Sequence, residues 1–238
     1  MDPRKIAQFC KFYNSEMHSY GNEIYQHVET RIAHWINFQE GGWFHRRLDY
    51  YLESFQSWDL VIDLGFSVPY PYLRPKLSAS ETRFLFVDRE LSSHHFYQVL
   101  VGENSLDSRK DLDLVLMADI ESQEDHGRII QAAQGYRPDS VMCVASEVIE
   151  HLVRSEIAWD LVRALASQLQ VEKFLLYVTL PIGKKIPSHE LVFENLAAAR
   201  SYLSSHMTIE WERVLTPSNE AEAIPGFEAC FCAAGRVK

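Results

Sequence analysis

Five apolar runs in the second part of the chain predict the strands of a largely parallel sheet. Most of these runs are continuous rather than alternating, as in strands that are covered on both faces. They span residues 59–65, 83–88, 111–120, 140–146 and 173–181. Helical patterns separate several of them, which predicts right-handed crossovers and an open, twisted sheet. The predicted helices span residues 123–135, 147–169 and 188–205.

The two ends of the chain follow other patterns. Residues 208–217 alternate, and residues 227–236 are again strand-like after a short loop, so we expect an antiparallel hairpin there. Residues 4–57 show apolar and aromatic positions at helical spacing. The predicted organisation is an N-terminal helical lid or cap (residues 1–57) and an α/β domain (residues 58–238).

The composition indicates the expected cellular compartment of the protein and the kind of molecule that it binds. Of 238 residues, 47% are hydrophobic, but no apolar run approaches the ~18–20 residues of a membrane span. The first residues are too polar for a signal peptide, so a cytoplasmic protein without membrane contact is expected. The net charge of −10 argues against binding nucleic acid along its phosphate backbone. We expect a small-molecule substrate and a monomer or homodimer.

The four cysteines show no metal-type spacing. They are interpreted as buried free thiols in a reducing compartment. Cys230 and Cys232 are expected to lie in one strand and to point to opposite faces.

Acidic residues end the first three predicted strands. Asp63 is followed by Gly65, which permits close approach of a ligand to the backbone. Asp88 comes 25 residues later, at an offset where a carboxylate can accept both hydroxyls of a ribose. Asp119 and the apolar Ile120 end the third strand and can bind the amine and the face of an adenine. Ligands of open α/β sheets bind at this edge, which predicts a nucleotide-type cofactor.

With these residues, the chain resembles the class I S-adenosylmethionine-dependent methyltransferases over residues 58–238. DLG (63–65) resembles the start of their glycine-rich motif, and SEVIEHL (146–152) resembles their fourth-strand motif. The resemblance implies a Rossmann-like, mostly parallel seven-stranded sheet and S-adenosyl-L-methionine as cofactor. The cofactor-binding residues that it implies are Asp63, Gly65, Ser67, Asp88, Asp119, Ile120 and Ser146.

One departure from the family lies in the first loop. Ser67 stands where the family usually has a second glycine, and the aromatic residues Phe66, Tyr70 and Tyr72 surround it. These rings are either part of a cage for a sulfonium cation, which aromatic faces attract, or core residues beneath the cap.

The resemblance implies an S-adenosylmethionine-dependent transferase, and our first hypothesis is methylation of a small-molecule acceptor in an enclosed pocket. The protein would mainly position and desolvate the reactants, with a general base assisting the nucleophile. The candidate catalytic residues are Glu147 and His151 from the main domain, and Tyr20 and His45 from the cap. This hypothesis requires no metal ion.

Two alternatives remain open. The string E-x-x-E-H resembles the small-RNA 3′-terminal 2′-O-methyltransferases, and if a metal ion is bound, that resemblance implies Glu147, Glu150, His151 and His189 as ligands. In the other alternative, the amine of S-adenosylmethionine attacks the carbon next to its own sulfur. Azetidine-2-carboxylate would then form, with release of methylthioadenosine.

Overall fold

The structure of the protein is a computed structural model. It describes residues 43–66, 81–90, 93–94, 113–184, 189–218 and 226–238. Predictions that concern other residues lie outside the described part of the chain. No described helix is long and apolar enough to cross a membrane.

A seven-stranded sheet forms the centre of the fold, with strand order β3-β2-β1-β4-β5-β7-β6. The first five strands are parallel, and β7 pairs antiparallel with both β5 and β6. The predicted sheet with an antiparallel C-terminal hairpin is therefore confirmed. The strands are β1 (Leu60–Leu64), β2 (Arg83–Asp88), β3 (Leu114–Met117), β4 (Ser140–Ser146), β5 (Lys173–Ile182), β6 (Met207–Leu215) and β7 (Ala229–Val237).

Helical segments cover both faces of the sheet. A short segment precedes β1: a 3₁₀ helix (Trp43–Leu48), α1 (Asp49–Ser54) and a second 3₁₀ helix (Phe55–Ser57). Its residues Trp43, Leu48 and Tyr51 are buried against one face of the sheet. The other face packs against α2 (Gln123–Gly135), α3 (Ser155–Gln168) and α4 (Leu196–His206). Because both faces are covered, the strands are continuous apolar runs.

The predicted helix over residues 147–169 is wrong in its first turns. Glu147 has a left-handed φ of 56°, and a separate 3₁₀ helix (Ile149–His151) precedes α3. The backbone N–H of Glu147 donates to the side chain of Thr179 on β5, so it is bound outside any helix. Glu147 and His151 therefore do not lie on one face of a regular helix.

The predicted helix over residues 188–205 begins later than expected. Asn195 caps α4 by accepting a hydrogen bond from Ala198 N at 2.9 Å. Before it, Phe193 forms a β-bridge with Ile182 at the end of β5. Residues ahead of the cap are therefore held along the carboxyl end of the sheet, where ligands bind in folds of this kind.

Candidate active site at the carboxyl edge of the sheet

Asp63 and Gly65 lie at the carboxyl end of β1, as predicted. Asp63 is 1% exposed, and its Oδ2 is a buried atom without a hydrogen-bond partner among the described residues. Burial, followed by the charge of Asp88, raises the pKa of Asp63 well above its usual value. Such an orphaned acceptor is what a ligand donor at this edge would satisfy.

Gly65 closes the first strand in a conformation that favours glycine. Its φ is 64°, and its N–H donates to Val87 O at 2.7 Å. A Cβ atom at this position would lie 2.7 Å from the side chain of Val148. The glycine therefore permits close contact between the loop after β1 and the segment after β4.

Asp88 ends β2 and is held by its own loop. Its Oδ1 accepts from Glu90 N at 2.8 Å, and its Oδ2 accepts from Ser93 Oγ at 2.9 Å. These two local bonds orient the carboxylate at the end of the strand.

Asp119 and Ile120 follow β3 close to Asp88. Ala118 N donates to Asp88 O at 3.1 Å, which joins the two strand ends. Asp119 Oδ1 accepts from Glu121 N at 2.9 Å, and Ile120 is buried. The structure thus places an acidic and an apolar residue side by side, as the resemblance implied.

Ser146 and Glu147 are bound to Thr179 at the ends of β4 and β5. The hydroxyls of Ser146 and Thr179 are 3.0 Å apart. Thr179 Oγ1 also accepts from Glu147 N at 3.1 Å and donates to Glu147 Oε1 at 3.2 Å. Sequence reasoning missed Thr179, although its small polar side chain interrupts the apolar run of β5.

The segment before β1 brings Arg47 to this carboxyl edge. Arg47 is 7% exposed, and its carbonyl oxygen accepts a hydrogen bond from the buried Tyr177 hydroxyl of β5. Its guanidinium lies close enough to counteract the raised pKa of Glu147 and of Glu150. A buried cation from one segment therefore faces two acids from another.

The described cysteines are free and buried, as predicted. The expectation that Cys230 and Cys232 point to opposite faces is wrong, because their Sγ atoms are 4.0 Å apart. Residues i and i+2 of a strand lie on the same face. Cys230 Sγ is also 3.7 Å from Glu147 Oε1, so the thiol borders the site.

Glu147 and Glu150 form a close acidic pair. Glu150 is 0% exposed, and neither of its carboxyl oxygens has a hydrogen-bond partner in the described part of the chain. Burial and the charge of Glu147 raise the pKa of Glu150 well above its usual value. Burial also raises the pKa of Glu147, although Arg47 opposes that shift.

Two histidines complete this cluster. Ligand atoms of Glu150, His151 and His189 lie within 4.8 Å of one another, and the two imidazole rings have centroids 4.5 Å apart. The N–H groups of Glu190 and Leu191 both donate to Glu150 O, which fixes the segment that carries His189. Burial, and then the charge of His151, lowers the pKa of His189 to about 4. His189 is therefore neutral at pH 7, as a metal ligand must be.

The remaining predictions at the site concern the N-terminal cap and the loop after β1. Tyr20, Ser67, Tyr70 and Tyr72 lie outside the described residues. His45 belongs to the first 3₁₀ helix, and its side-chain role remains a prediction. Phe66 is 2% exposed and packs on Phe86 with ring centroids 5.2 Å apart, so it is a core residue rather than a cage for a cation.

Comparison with known proteins shows the fold. A Thermobifida fusca protein of known structure, assigned as a methyltransferase, is 13% identical to this chain. The TM-score is 0.53, and the match covers 82% of this chain and 80% of that one. The methyltransferase domain of bacterial CtHen1 is 14% identical, with a TM-score of 0.52 and coverages of 80% and 97%. The [4+2]-cyclase SpnF is 9% identical, with a TM-score of 0.54 and coverages of 81% and 80%.

The protein has the class I methyltransferase fold, as these structures show. No family model matches the sequence, and no curated protein matches it. Because a methyltransferase domain and a cyclase share this fold, the reaction has to be argued from the residues of the site.

Proposed function

We propose that the protein is an S-adenosylmethionine-dependent methyltransferase that acts on a hydroxyl group of a small acceptor held by a divalent metal ion. The observation that carries this proposal is the cluster of the buried Glu150, the half-buried His189 and the exposed His151, with ligand atoms within 4.8 Å of one another. It follows β4 at the carboxyl edge of the sheet, and Val148, two residues before Glu150, packs against Gly65 of the predicted cofactor loop.

The residues of β1, β2 and β3 fit the cofactor. Asp63 has an unpartnered buried oxygen for a donor, and Gly65 lets the loop after β1 lie against Val148. Asp88 would accept from the ribose hydroxyls, while Asp119 and Ile120 would contact the adenine. When bound, the cofactor supplies an electrophilic methyl group, so the protein mainly positions and desolvates the reactants.

The acidic cluster fits a cation. Two buried carboxyl groups lie next to each other beside Arg47, and a further cation would offset their repulsion. Carboxylate oxygen and neutral imidazole suit Mn²⁺, Fe²⁺ or Zn²⁺. A divalent ion bound there would lower the pKa of an acceptor hydroxyl that coordinates it. Glu147 borders the cluster and would serve as a fourth ligand.

The acceptor class is inferred from charge. The chain has 33 acidic and 23 basic residues, which disfavours extended contact with nucleic acid. The second candidate is methylation of an RNA 3′ end, because Glu147, Glu150, His151 and His189 are the ligands that the E-x-x-E-H resemblance implies. Cofactor cyclisation remains an alternative, and its loop residues beyond Phe66 lie outside the described part of the chain.

A Mn²⁺ titration of the purified, chelator-treated protein tests the metal site. We expect one bound ion, and we expect Glu150→Gln and His189→Ala to weaken binding at least about 10-fold. Glu190→Gln is the matched control, since Glu190 is exposed and adjacent to His189. Absence of Mn²⁺ binding, or equal loss in the control, would remove the metal ion from the mechanism.

Product analysis separates the three reactions. Incubation with S-adenosylmethionine alone should give neither adenosylhomocysteine nor methylthioadenosine above background. Addition of Mn²⁺ and a catechol, as a small acceptor with adjacent hydroxyls, should give adenosylhomocysteine. Methylthioadenosine without an acceptor would establish cyclisation instead. Turnover with a 3′-hydroxyl RNA but not a 3′-phosphate RNA would establish the RNA candidate.

A further inference from the structure

Glu147 adopts a backbone conformation that is unfavourable for a glutamate. Its φ is 56°, in the left-handed region that non-glycine residues rarely occupy. Residues held in such conformations need support from the surrounding structure, and they concentrate at functional sites. The hydrogen bonds that the Glu147 N–H and carboxyl group make with other described residues show which residue supports this conformation.

Thr179 makes three hydrogen bonds at this position. Its hydroxyl lies 3.1 Å from Glu147 N, 3.2 Å from Glu147 Oε1 and 3.0 Å from Ser146 Oγ. Thr179 is 0% exposed, so water does not substitute for these partners.

The donors and acceptors allow one consistent arrangement of these bonds. A hydroxyl group has one proton and two lone pairs. The N–H of Glu147 can only donate, and an ionised carboxylate can only accept. Thr179 therefore donates to Glu147 Oε1 and accepts from both Glu147 N and the Ser146 hydroxyl. All three polar positions of one hydroxyl are used to hold the chain at Ser146 and Glu147.

We propose that Thr179 is a positioning residue whose hydroxyl holds the carboxyl group of Glu147 where the proposed metal ion binds. This inference rests on the proposed function, because Glu147 borders Glu150 and would be the fourth ligand. Thr179 does not touch the ion itself. It fixes both the backbone and the side chain of one ligand, and partners of this kind tune the affinity of the site.

Mn²⁺ affinity, measured by calorimetry and by the electron paramagnetic resonance signal of the free ion, is the first test. Thr179→Val retains the shape but removes all three bonds, and we expect binding about 10-fold weaker. Thr179→Ser retains the hydroxyl and should bind within about 3-fold of wild type, since its loss is confined to a methyl group. Thr82→Val is the matched control, because Thr82 is buried at the opposite edge of the sheet.

A double-mutant cycle tests whether Thr179 acts through Glu147. If it does, Thr179→Val should weaken Mn²⁺ binding little further when Glu147→Gln is already present. Additive losses would overturn the inference, as would equal losses in Thr179→Val and Thr82→Val. If Thr179→Val does not fold, Thr179→Cys takes its place, because its weaker sulfur partner should still reduce affinity.

A crystal structure of metal-free Thr179→Val keeps the two proposals distinguishable. We expect Glu147 to leave the left-handed region and its carboxyl group to move away from Cys230 Sγ. An unmoved Glu147 would overturn the role of Thr179, whether or not the protein binds metal. Failure of the wild type to bind Mn²⁺ would overturn the metal site, while this displacement would still decide the positioning role.

Discussion

Two pairs of acidic residues lie at the carboxyl edge of the sheet, Asp63 with Asp88 and Glu147 with Glu150, and different contacts hold them. Asp88 is held by Glu90 N and Ser93 Oγ, two and five residues further along the chain. Glu147 is held by Thr179 and Cys230, 32 and 83 residues away, and faces Arg47 from the segment before β1. In the proposed cofactor half, the Asp88 carboxylate is thus oriented by contacts that are local in sequence, whereas the Glu147 carboxylate of the proposed acceptor half depends on long-range contacts.

The comparison predicts that Arg47 matters most to the acceptor half. Arg47→Met would leave Glu147 and Glu150 without their buried counter-charge, at a cost of about 2–4 kcal/mol in unfolding free energy at pH 7. Urea unfolding would measure this loss. The adjacent Arg46→Met is the control, because Arg46 is exposed and its guanidinium donates to Ser218 Oγ. Similar losses in both variants would contradict the assignment.

Asp88 should matter mainly to the cofactor half. Asp88→Ala removes the acceptor proposed for two ribose hydroxyls, and we expect affinity for adenosylhomocysteine to fall about 100-fold. Isothermal calorimetry would measure it. Asp139→Ala, at the amino edge of the sheet, should bind as wild type does. Unchanged affinity in Asp88→Ala would contradict the placement of the cofactor on this sheet.

Gly65 lies where the cofactor half contacts the acceptor half, and its replacement tests whether the two halves are coupled. Gly65→Ala places a Cβ atom 2.7 Å from Val148 and keeps a positive φ, for a combined cost of about 2 kcal/mol. Adding Val148→Ala should recover the steric part but not the backbone strain. Thermal unfolding of the two single variants and the double variant would measure this coupling. If the losses of stability in the two single variants simply added in the double variant, the two halves would not be in steric contact.

The same contrast explains which features could be predicted from the sequence. The ranges 83–88 and 140–146 match β2 and β4, because continuous apolar runs determine buried parallel strands. Asp63, Asp88 and Asp119 were predicted from their places at strand ends. Glu147 was wrongly predicted to be helical, because the bond that turns its backbone comes from Thr179, far along the chain.

Long-range proximity also explains the cluster of Glu150 and His151 with His189. The resemblance named all three as possible ligands, but no local pattern brings His189 to the end of β4. The bonds from Glu190 N and Leu191 N to Glu150 O do so. Arg47 is likewise placed beside the acidic pair by a segment that is distant in sequence.

The smallest expected effect concerns Asp63, where stability and binding should change in opposite directions. Burial, followed by the charge of Asp88, raises the pKa of Asp63 well above its usual value, so the folded protein retains a proton that the unfolded chain releases. Within that window the folded state binds more protons, and wild-type stability falls as pH rises. Asp63→Asn cannot lose this proton and should therefore be more stable above pH 4, by about 1 kcal/mol at pH 7. The gain should vanish near pH 3, where both states are protonated. Urea unfolding at pH 3.5, 5 and 7 would measure this gain in stability, with the exposed Asp160→Asn as control.

The affinity of Asp63→Asn for adenosylhomocysteine should meanwhile fall about 10-fold, because one charge-assisted hydrogen bond is lost. A variant that is less stable at pH 7 would show that the Asp63 carboxylate has a partner in the folded protein, which would leave no orphaned acceptor for a cofactor.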